Sequence, residues 1–158
     1  MSKLLHRGIS ISALWDPGAR QTLITHRLAR RLNLKGRHGK VDMALTVKKH
    51  LDIEIMEYQL TLMDQNGESI QLYIIGMDEI SEHIPKLDLS RLPEVFEGVT
   101  EEQLNRPHGP LDLLIGIDNR DLFPNVTATN NECQLLENRF GLAISGRHSL
   151  IKLMQQGS

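Results

Sequence analysis

The stretch LWDPGARQTLIT, residues 14–25, decides how the rest of this chain is interpreted. It ends an apolar run, Ile9 to Trp15, that opens with the period-two alternation of a strand. Asp16-Pro17-Gly18 follows as a tight turn, and a second apolar run leaves it at Leu23. A lone Asp before Pro-Gly also occurs in ordinary turns, where it caps backbone amides. Because both flanks are apolar, this carboxylate is a candidate for general acid–base chemistry.

Length and composition bound the class of protein. The chain has 158 residues, of which 40% are hydrophobic and 24% charged, and we expect one soluble domain over 1–158. No apolar stretch reaches the roughly 20 residues of a membrane span, and Met1–Arg7 has no apolar core of signal-peptide length. Cys133 is the one cysteine, so we expect a reducing, intracellular and cytoplasmic setting and interpret this thiol as structural.

Charge is unevenly distributed along the chain, whose net charge is −2. Residues 1–50 carry eleven Lys and Arg against two acids, whereas residues 51–138 carry eighteen acids against four Lys and Arg. A basic first third is typical of a surface that contacts nucleic acid or an acidic peptide. No aromatic residues are interleaved with these cations to stack on bases, so nucleic-acid binding is a third and disfavoured hypothesis.

Local signals predict a hairpin-rich first half. Thr25 is a plausible N-cap for a short helix from His26 to Leu34, and Gly36 lies near its C-cap. Strands are predicted over 41–47 and 53–63, with a phase slip at Met56-Glu57 that suggests a bulge. The sequence DQNG at 64–67 predicts a hairpin turn before a returning strand over 70–75.

The segment 77–111 differs in character, because it is acidic, holds four of the six prolines and has no strand period. We interpret it as an ordered insertion over one side of the sheet, with a short helix after the capping box at 100–103. Its apolar anchors are Ile84, Leu87, Leu89, Leu92, Val95 and Phe96.

Beyond the insertion the pattern returns to strands. A strand over 111–116 ends in a glycine, a helical turn over 118–123 is closed by Pro124, and strands over 133–136 and 141–145 form a final pair. Helices do not alternate regularly with strands, so a compact mainly β, barrel-like domain is expected.

Other catalytic chemistries have little support. Asp118, after the apolar strand and Gly116, reads as an N-cap acid. Neither a Gly-x-Ser-x-Gly elbow nor a phosphate-binding glycine loop is present, and we expect no cofactor. The histidines form no helical pair or cluster with cysteine, so we expect no metal site; they are His6, His26, His38, His50, His83, His108 and His148.

Several segments, in this order, resemble the retropepsin-like aspartic protease domain of BEL/Pao-type LTR retrotransposons and, more distantly, retroviral proteases. LWDPGA at 14–19 is similar to the family's apolar pair, Asp-Ser/Thr-Gly and small residue. LITHRLARRL at 23–32 is similar to the strand and short helix that follow. DLLIGID at 112–118, preceded by RPHG at 106–109, resembles the second motif, and NRFGLAISG at 138–146 resembles the closing strand.

The resemblance implies an acid-protease barrel with two or three short helices and an inserted acidic segment, acting as a homodimer on a polypeptide. Each subunit would give one catalytic Asp, here Asp16, in the active-site loop that continues with Pro17, Gly18 and Ala19. The pair would share a proton, because two carboxylates in contact do not both ionise easily. A flap would lie at Lys48, Lys49 and His50, and Gly116 and Asp118 would support the loop from behind.

The chain departs from the family pattern at three places. The family's middle residue carries a hydroxyl that bonds across the dimer, whereas Pro17 has neither a hydroxyl nor an N–H. The flap candidate lacks glycine, and the segment before Ile9 is short for a first strand. An alternative hypothesis is therefore a protease-like module that dimerises or binds peptides with weak or no cleavage.

Overall fold

Strands dominate the computed structural model, which describes residues 2–46, 49–80, 87–104 and 110–154, the side chains of 2, 3 and 41–53 excepted. The strands are β1 (Ser2–His6), β2 (Ile9–Trp15), β3 (Leu23–Thr25), β4 (Gly36–Thr46), β5 (Lys49–Met63), β6 (Ser69–Met77), β7 (Leu87–Asp88), β8 (Leu113–Ile115), β9 (Asn125–Asn130), β10 (Glu132–Asn138), β11 (Gly141–Arg147) and β12 (Lys152–Leu153). The helices are α1 (His26–Arg31), α2 (Leu92–Val95), α3 (Glu101–Leu104) and a 3-10 helix (Ile117–Leu122). Within these ranges no helix is long and apolar enough to cross a membrane.

Six strands close into a barrel in the order β1-β2-β8-β3-β6-β5, and pairing of Leu5 with Met63 joins the last strand to the first. Alternate residues point inward, so Leu60 and Leu62 of β5 are fully buried. Each such side chain contributes about 1.5–3 kcal/mol through burial. The predicted fold class is confirmed in its strand content, its closed barrel and its few short helices. The expectation that the segment before Ile9 is short for a first strand is wrong, because five residues of β1 pair with β2.

Strand β8 is inserted between the two strands that flank the quoted stretch. It runs parallel to β2, with Trp15 opposite Ile115, and antiparallel to β3, with Leu23 opposite Leu114. The loop over residues 16–22 therefore passes around the end of β8. This crossing brings together two segments about a hundred residues apart in sequence.

Helix α1 begins as predicted and ends earlier than predicted. The Thr25 side chain accepts a hydrogen bond from the Leu28 N–H at 3.2 Å. At the other end Asn33 has φ 55°, and the N–H groups of Asn33 and Leu34 donate to the carbonyls of Arg30 and Ala29. This is a Schellman cap, in which Asn takes the left-handed position, so the expected C-cap role of Gly36 is wrong.

The strands β4 and β5 form a long hairpin that extends beyond the barrel, because β4 pairs with β5 alone in this sheet. Both strands are longer than predicted and leave a shorter connection. The predicted bulge at Met56-Glu57 is wrong, since pairing of β5 with β4 is continuous there. Near Tyr58 the partner of β5 changes from β4 to β6, which accounts for the phase slip in the hydrophobic pattern.

A second hydrophobic core lies apart from the barrel core. The three-stranded sheet β9–β10–β11 contributes Cys133 and Leu135, and the acidic segment packs against them. Ile84 lies outside the described residues and Leu87 is partly buried at the margin of this cluster. The remaining predicted anchors are buried in it, namely Leu89, Leu92, Val95 and Phe96. Within its described part, the acidic segment packs against this smaller sheet.

Candidate active site

Asp16 stands at the end of β2, where the barrel strand gives way to a loop. Its backbone N–H donates to the Ile115 carbonyl at 2.9 Å, so the last hydrogen bond of the β2–β8 pair holds it. The preceding Trp15 packs edge-on against Phe123 and stacks with Phe140, at ring-centroid distances of 5.5 and 6.2 Å. The backbone of Asp16 is therefore held by a strand on one side and an aromatic cluster on the other.

The turn after Asp16 uses one of its carboxylate oxygens. The Gly18 N–H donates to Asp16 Oδ1 at 2.8 Å, and the Ala19 N–H donates to the Asp16 carbonyl at 3.2 Å. Pro17 lies between them and is exposed. Because proline has no backbone N–H, it suits a turn position from which no N–H needs to donate a hydrogen bond. Within the described part of the chain, Oδ2 of this half-buried residue has no hydrogen-bond partner.

Gly116 sits directly behind this loop. A Cβ atom at this position would lie 2.7 Å from the Gln21 carbonyl oxygen and 2.8 Å from that of Ala19. Real Cβ atoms do not approach backbone this closely, so only glycine fits here. The next residue, Ile117, donates its N–H to the Ala19 carbonyl at 2.9 Å.

Asp118 fastens the far end of the same loop. Its Oδ2 accepts from the Thr22 N–H at 3.0 Å and its Oδ1 from the Thr22 hydroxyl at 2.7 Å. The Thr22 hydroxyl oxygen in turn accepts from the Gly116 N–H at 3.2 Å and from Asn119 Nδ2 at 2.8 Å. Asp118 is therefore the acceptor of a loop lock and is not an N-cap acid, since the 3-10 helix is capped at Gly116 without a side-chain bond.

A second lock holds the strand that leaves the loop. The Thr25 hydroxyl donates to Asp112 Oδ1 at 2.6 Å, and Arg27 pairs with the same oxygen at 2.6 Å. The Thr25 N–H also donates to the Asp112 carbonyl at 2.9 Å. Segments 16–25 and 112–119 are thus joined at both ends of the site.

Thr22, Asn119 and Asp112 were not predicted as site residues. Thr22 is 1% exposed, and a buried hydroxyl needs partners. Its place beside the apolar run at 23–24 was the signal available in the sequence. This position does not identify the hydrogen-bond partner of the Thr22 hydroxyl, because its acceptor, Asp118, lies 96 residues away.

The predicted flap residues fall at the end of the β4–β5 hairpin. Lys49 is opposite Thr46 and His50 is opposite Ala44, so both belong to β5. Lys48 lies outside the described residues, as do residues 106–109 of the second motif.

A cavity of about 430 Å³ separates the rear of the Asp16 loop from the stem of this hairpin. Gln21, Thr22 and Asp118 line one side. The other side is formed by β4, β5 and β6, through Arg37, His38, Gly39, Lys40, Ile55, Glu57, Tyr73 and Ile75. Asp16 does not border it, so this cavity adjoins the loop rather than the free carboxylate oxygen.

The cysteine and the possible metal-ligating side chains give two further observations on the described part of the chain. Burial in the second core raises the pKa of the Cys133 thiol, which disfavours the reactive thiolate. Among the residues described, no group of three or more His, Cys, Asp or Glu side chains is arranged to hold a metal ion.

Comparisons with known proteins are sparse. No protein-family model matches the chain, and no curated protein sequence matches it. Among solved structures, it is similar to the crystal structure of the retroviral protease-like domain of Ddi1 from Leishmania major. The two are 13% identical, the match covers 94% of each chain, and the TM-score is 0.46.

Proposed function

We propose that this chain is an aspartic endopeptidase domain whose catalytic dyad consists of Asp16 from two copies of the chain. The observation that carries the proposal is the state of the Asp16 carboxylate. One oxygen is held by the Gly18 N–H at 2.8 Å, the other has no partner in the described chain, and the loop beneath is fixed by Gly116 and Thr22. A rigid acid with a free oxygen is the requirement for general acid–base catalysis.

The need for a second copy follows from the other acids near the loop. Asp118 is occupied by Thr22, and Asp112 by Thr25 and Arg27. Both oxygens of Asp118 are taken, and Asp112 precedes β8 whereas Asp16 lies beside the last residue of that strand, Ile115, so neither acid is placed to share a proton with Asp16. A second Asp16, supplied by an identical subunit, is therefore the partner that completes the site.

Two such carboxylates in contact would hold one proton between them, since both do not ionise together. The ionised one takes a proton from water, and the resulting hydroxide attacks the peptide carbonyl carbon. The protonated one gives its proton to the carbonyl oxygen. Collapse of the tetrahedral intermediate breaks the C–N bond: the carboxyl that took the proton of water gives it to the leaving nitrogen, and the other carboxylate takes a proton back from a hydroxyl of the intermediate, which restores the shared proton.

The resemblance of residues 14–32, 112–118 and 138–146 to BEL/Pao proteases suggests a retrotransposon polyprotein as the substrate. Lys48, Lys49 and His50 would then form the flap over that polypeptide, and Pro17, Gly18 and Ala19 the active-site loop. Gly116 and Asp118 would act as supports, without touching substrate.

The decisive experiment compares the native chain with Asp16→Asn on a mixed peptide library at mildly acidic pH. Cleavage should be lost in Asp16→Asn and kept in Asp121→Asn, a matched control at an exposed acid on the 3-10 helix. Excess Asp16→Asn added to native chain should suppress cleavage, because mixed dimers hold one catalytic acid. Unchanged cleavage by Asp16→Asn excludes the proposal.

A second candidate function is a protease-like module that binds peptides without cleaving them. Pro17 favours it, because the loop has no hydroxyl at the position where the family bonds across the dimer. Restoring a hydroxyl with Pro17→Ser separates the two readings. Cleavage by the native chain supports the enzyme, whereas peptide binding without cleavage in both versions supports the module.

A further inference from the structure

A second cavity, of about 480 Å³, lies on another part of the barrel and shares no lining residue with the Asp16 loop. Three elements enclose it: the β1–β2 turn, the segment after α1, and the outer parts of β5 and β6. Its polar lining includes His6, Arg7, Asn33, Lys35, Gln59 and Gln71. We propose that this cavity binds a phosphate monoester group.

The charge of the lining is the first argument. Arg7 and Lys35 supply two cations, and no carboxylate lines the cavity. Neither cation makes an ion pair with any described residue, whereas Arg27, Arg37 and Arg139 each pair with an acid. In a chain with more acids than bases, positive charge collected without compensation favours an anionic ligand.

His6 is the second argument. The residue is 4% exposed, and its Nδ1–H donates to the Thr61 carbonyl at 2.8 Å. The other ring nitrogen, Nε2, has no hydrogen-bond partner among the described residues. In those residues every side-chain nitrogen or oxygen that is sealed from solvent has a partner, so Nε2 is not sealed. Nε2 is therefore accessible, and it gives the cavity that His6 lines a ring nitrogen free to bond a ligand.

The β1–β2 turn gives a third argument. Arg7 (φ 47°) and Gly8 (φ +81°) form a two-residue hairpin turn between the paired residues His6 and Ile9. Asn is favoured at the first position of this turn type. The turn itself therefore does not call for an arginine, and what the guanidinium adds is charge at the cavity.

The donor set selects the ligand. A guanidinium, an ammonium and carboxamide groups line the cavity, and all can donate N–H bonds. A phosphate monoester offers three acceptor oxygens and a charge near −2, which suits several such donors better than a single carboxylate does. The volume leaves room for the group that carries the phosphate, either a small molecule or a phosphorylated side chain of a polypeptide.

Calorimetric titration and histidine ring NMR test the proposal on the full chain, with inorganic phosphate, a phosphoserine peptide and its unphosphorylated form as probes. We expect phosphate and the phosphopeptide to bind and to shift the His6 ring signals, while the unphosphorylated peptide does not bind. Binding should weaken about tenfold in Arg7→Asn and in Lys35→Gln, the loss expected for one charge-assisted hydrogen bond. Lys152→Gln, an exposed lysine outside the cavity, should bind as the native chain does.

Arg7→Asn keeps the test falsifiable, because Asn suits the turn and thermal melting should show an intact fold. Tighter binding of the phosphopeptide than of phosphate identifies a polypeptide source, and equal binding identifies a small phosphorylated molecule. The proposal is overturned if neither inorganic phosphate nor the phosphoserine peptide binds. An equal loss of phosphate affinity in Lys152→Gln also overturns it, as does tight binding of an RNA oligonucleotide that all three variants weaken alike. Diffuse positive charge, and not this cavity, would then be the cause of binding. No lining residue belongs to the Asp16 loop, so these outcomes do not depend on the proteolysis assay.

Discussion

Two loops of this barrel carry an aspartate just after a buried strand, and they use it in opposite ways. In the loop at 116–119, both oxygens of Asp118 accept hydrogen bonds from Thr22. In the loop at 16–22, Asp16 accepts one from Gly18, and its second oxygen has no partner among the described residues. The two aspartates follow similar apolar runs, yet the contacts make Asp118 a structural acceptor and leave Asp16 available for chemistry.

The largest expected effect comes from the glycines of the two loops. Gly116→Ala should lower the free energy of unfolding by about 3 kcal/mol, because its Cβ would meet backbone oxygens at 2.7 and 2.8 Å. Gly18→Ala should cost under about 1 kcal/mol, because its Cβ would meet the Asp16 side chain at 3.2 Å, and that side chain can move. Urea unfolding measures both, and equal losses would remove the contrast between the loops.

The aspartates themselves give the next effect. Asp118→Asn should lower the free energy of unfolding by about 2 kcal/mol, since it leaves a buried donor of Thr22 without an acceptor. Asp16→Asn should change it by about 0.5 kcal/mol or less, because Asn also accepts from the Gly18 N–H in such a turn. A larger loss for Asp16→Asn than for Asp118→Asn would reverse the assigned roles.

A smaller and pH-dependent effect is expected at Asp64, which joins the β5–β6 turn to the β10–β11 turn. Burial raises the pKa of Asp64, but the Arg139 side chain and the backbone N–H groups of Glu68 and Asn66 together hold that pKa below its ordinary value. The unfolded chain therefore binds this proton more readily than the folded one. The stabilisation is complete above about pH 4 and is lost as the pH falls through the lower pKa of the folded state.

Urea midpoints recorded from neutral to acid pH measure this effect. Asp64→Asn should lower the midpoint near neutral pH and flatten its decline in acid, whereas Asp121→Asn should leave the decline unchanged. If the urea midpoint of Asp64→Asn falls in acid as steeply as that of the native chain, other carboxylates govern acid unfolding.

The smallest effect is expected for the ion pair beside the site. The Arg27 side chain is 60% exposed while it pairs with Asp112, and exposed pairs contribute about 1 kcal/mol or less. Arg27→Gln should therefore change the unfolding midpoint only slightly, and less at high salt. A large loss would mean that Arg27, and not the Thr25 hydroxyl, holds Asp112.

Local rules predicted the elements whose causes lie within a few residues. The Thr25 cap started α1, and at the start of α3 the Thr100 N–H donates to the Gln103 side-chain oxygen at 2.8 Å, one half of the expected capping box. The end of α1 was misplaced because Asn33 takes the left-handed position without a glycine. Strand β9 was missed, because its mainly polar and exposed residues show no inward face.

The sequence by itself singled out Asp16, and it also singled out Gly116 and Asp118 as neighbours of the loop. It assigned Asp118 a supporting role without its partner, because Thr22 lies 96 residues away and meets Asp118 only where β8 enters between β2 and β3. Hydrogen bonds between distant segments depend on the strand order, which periodicity and turn signals do not encode. The tertiary structure therefore decided how Asp118 supports the loop, by bringing both of its oxygens onto Thr22.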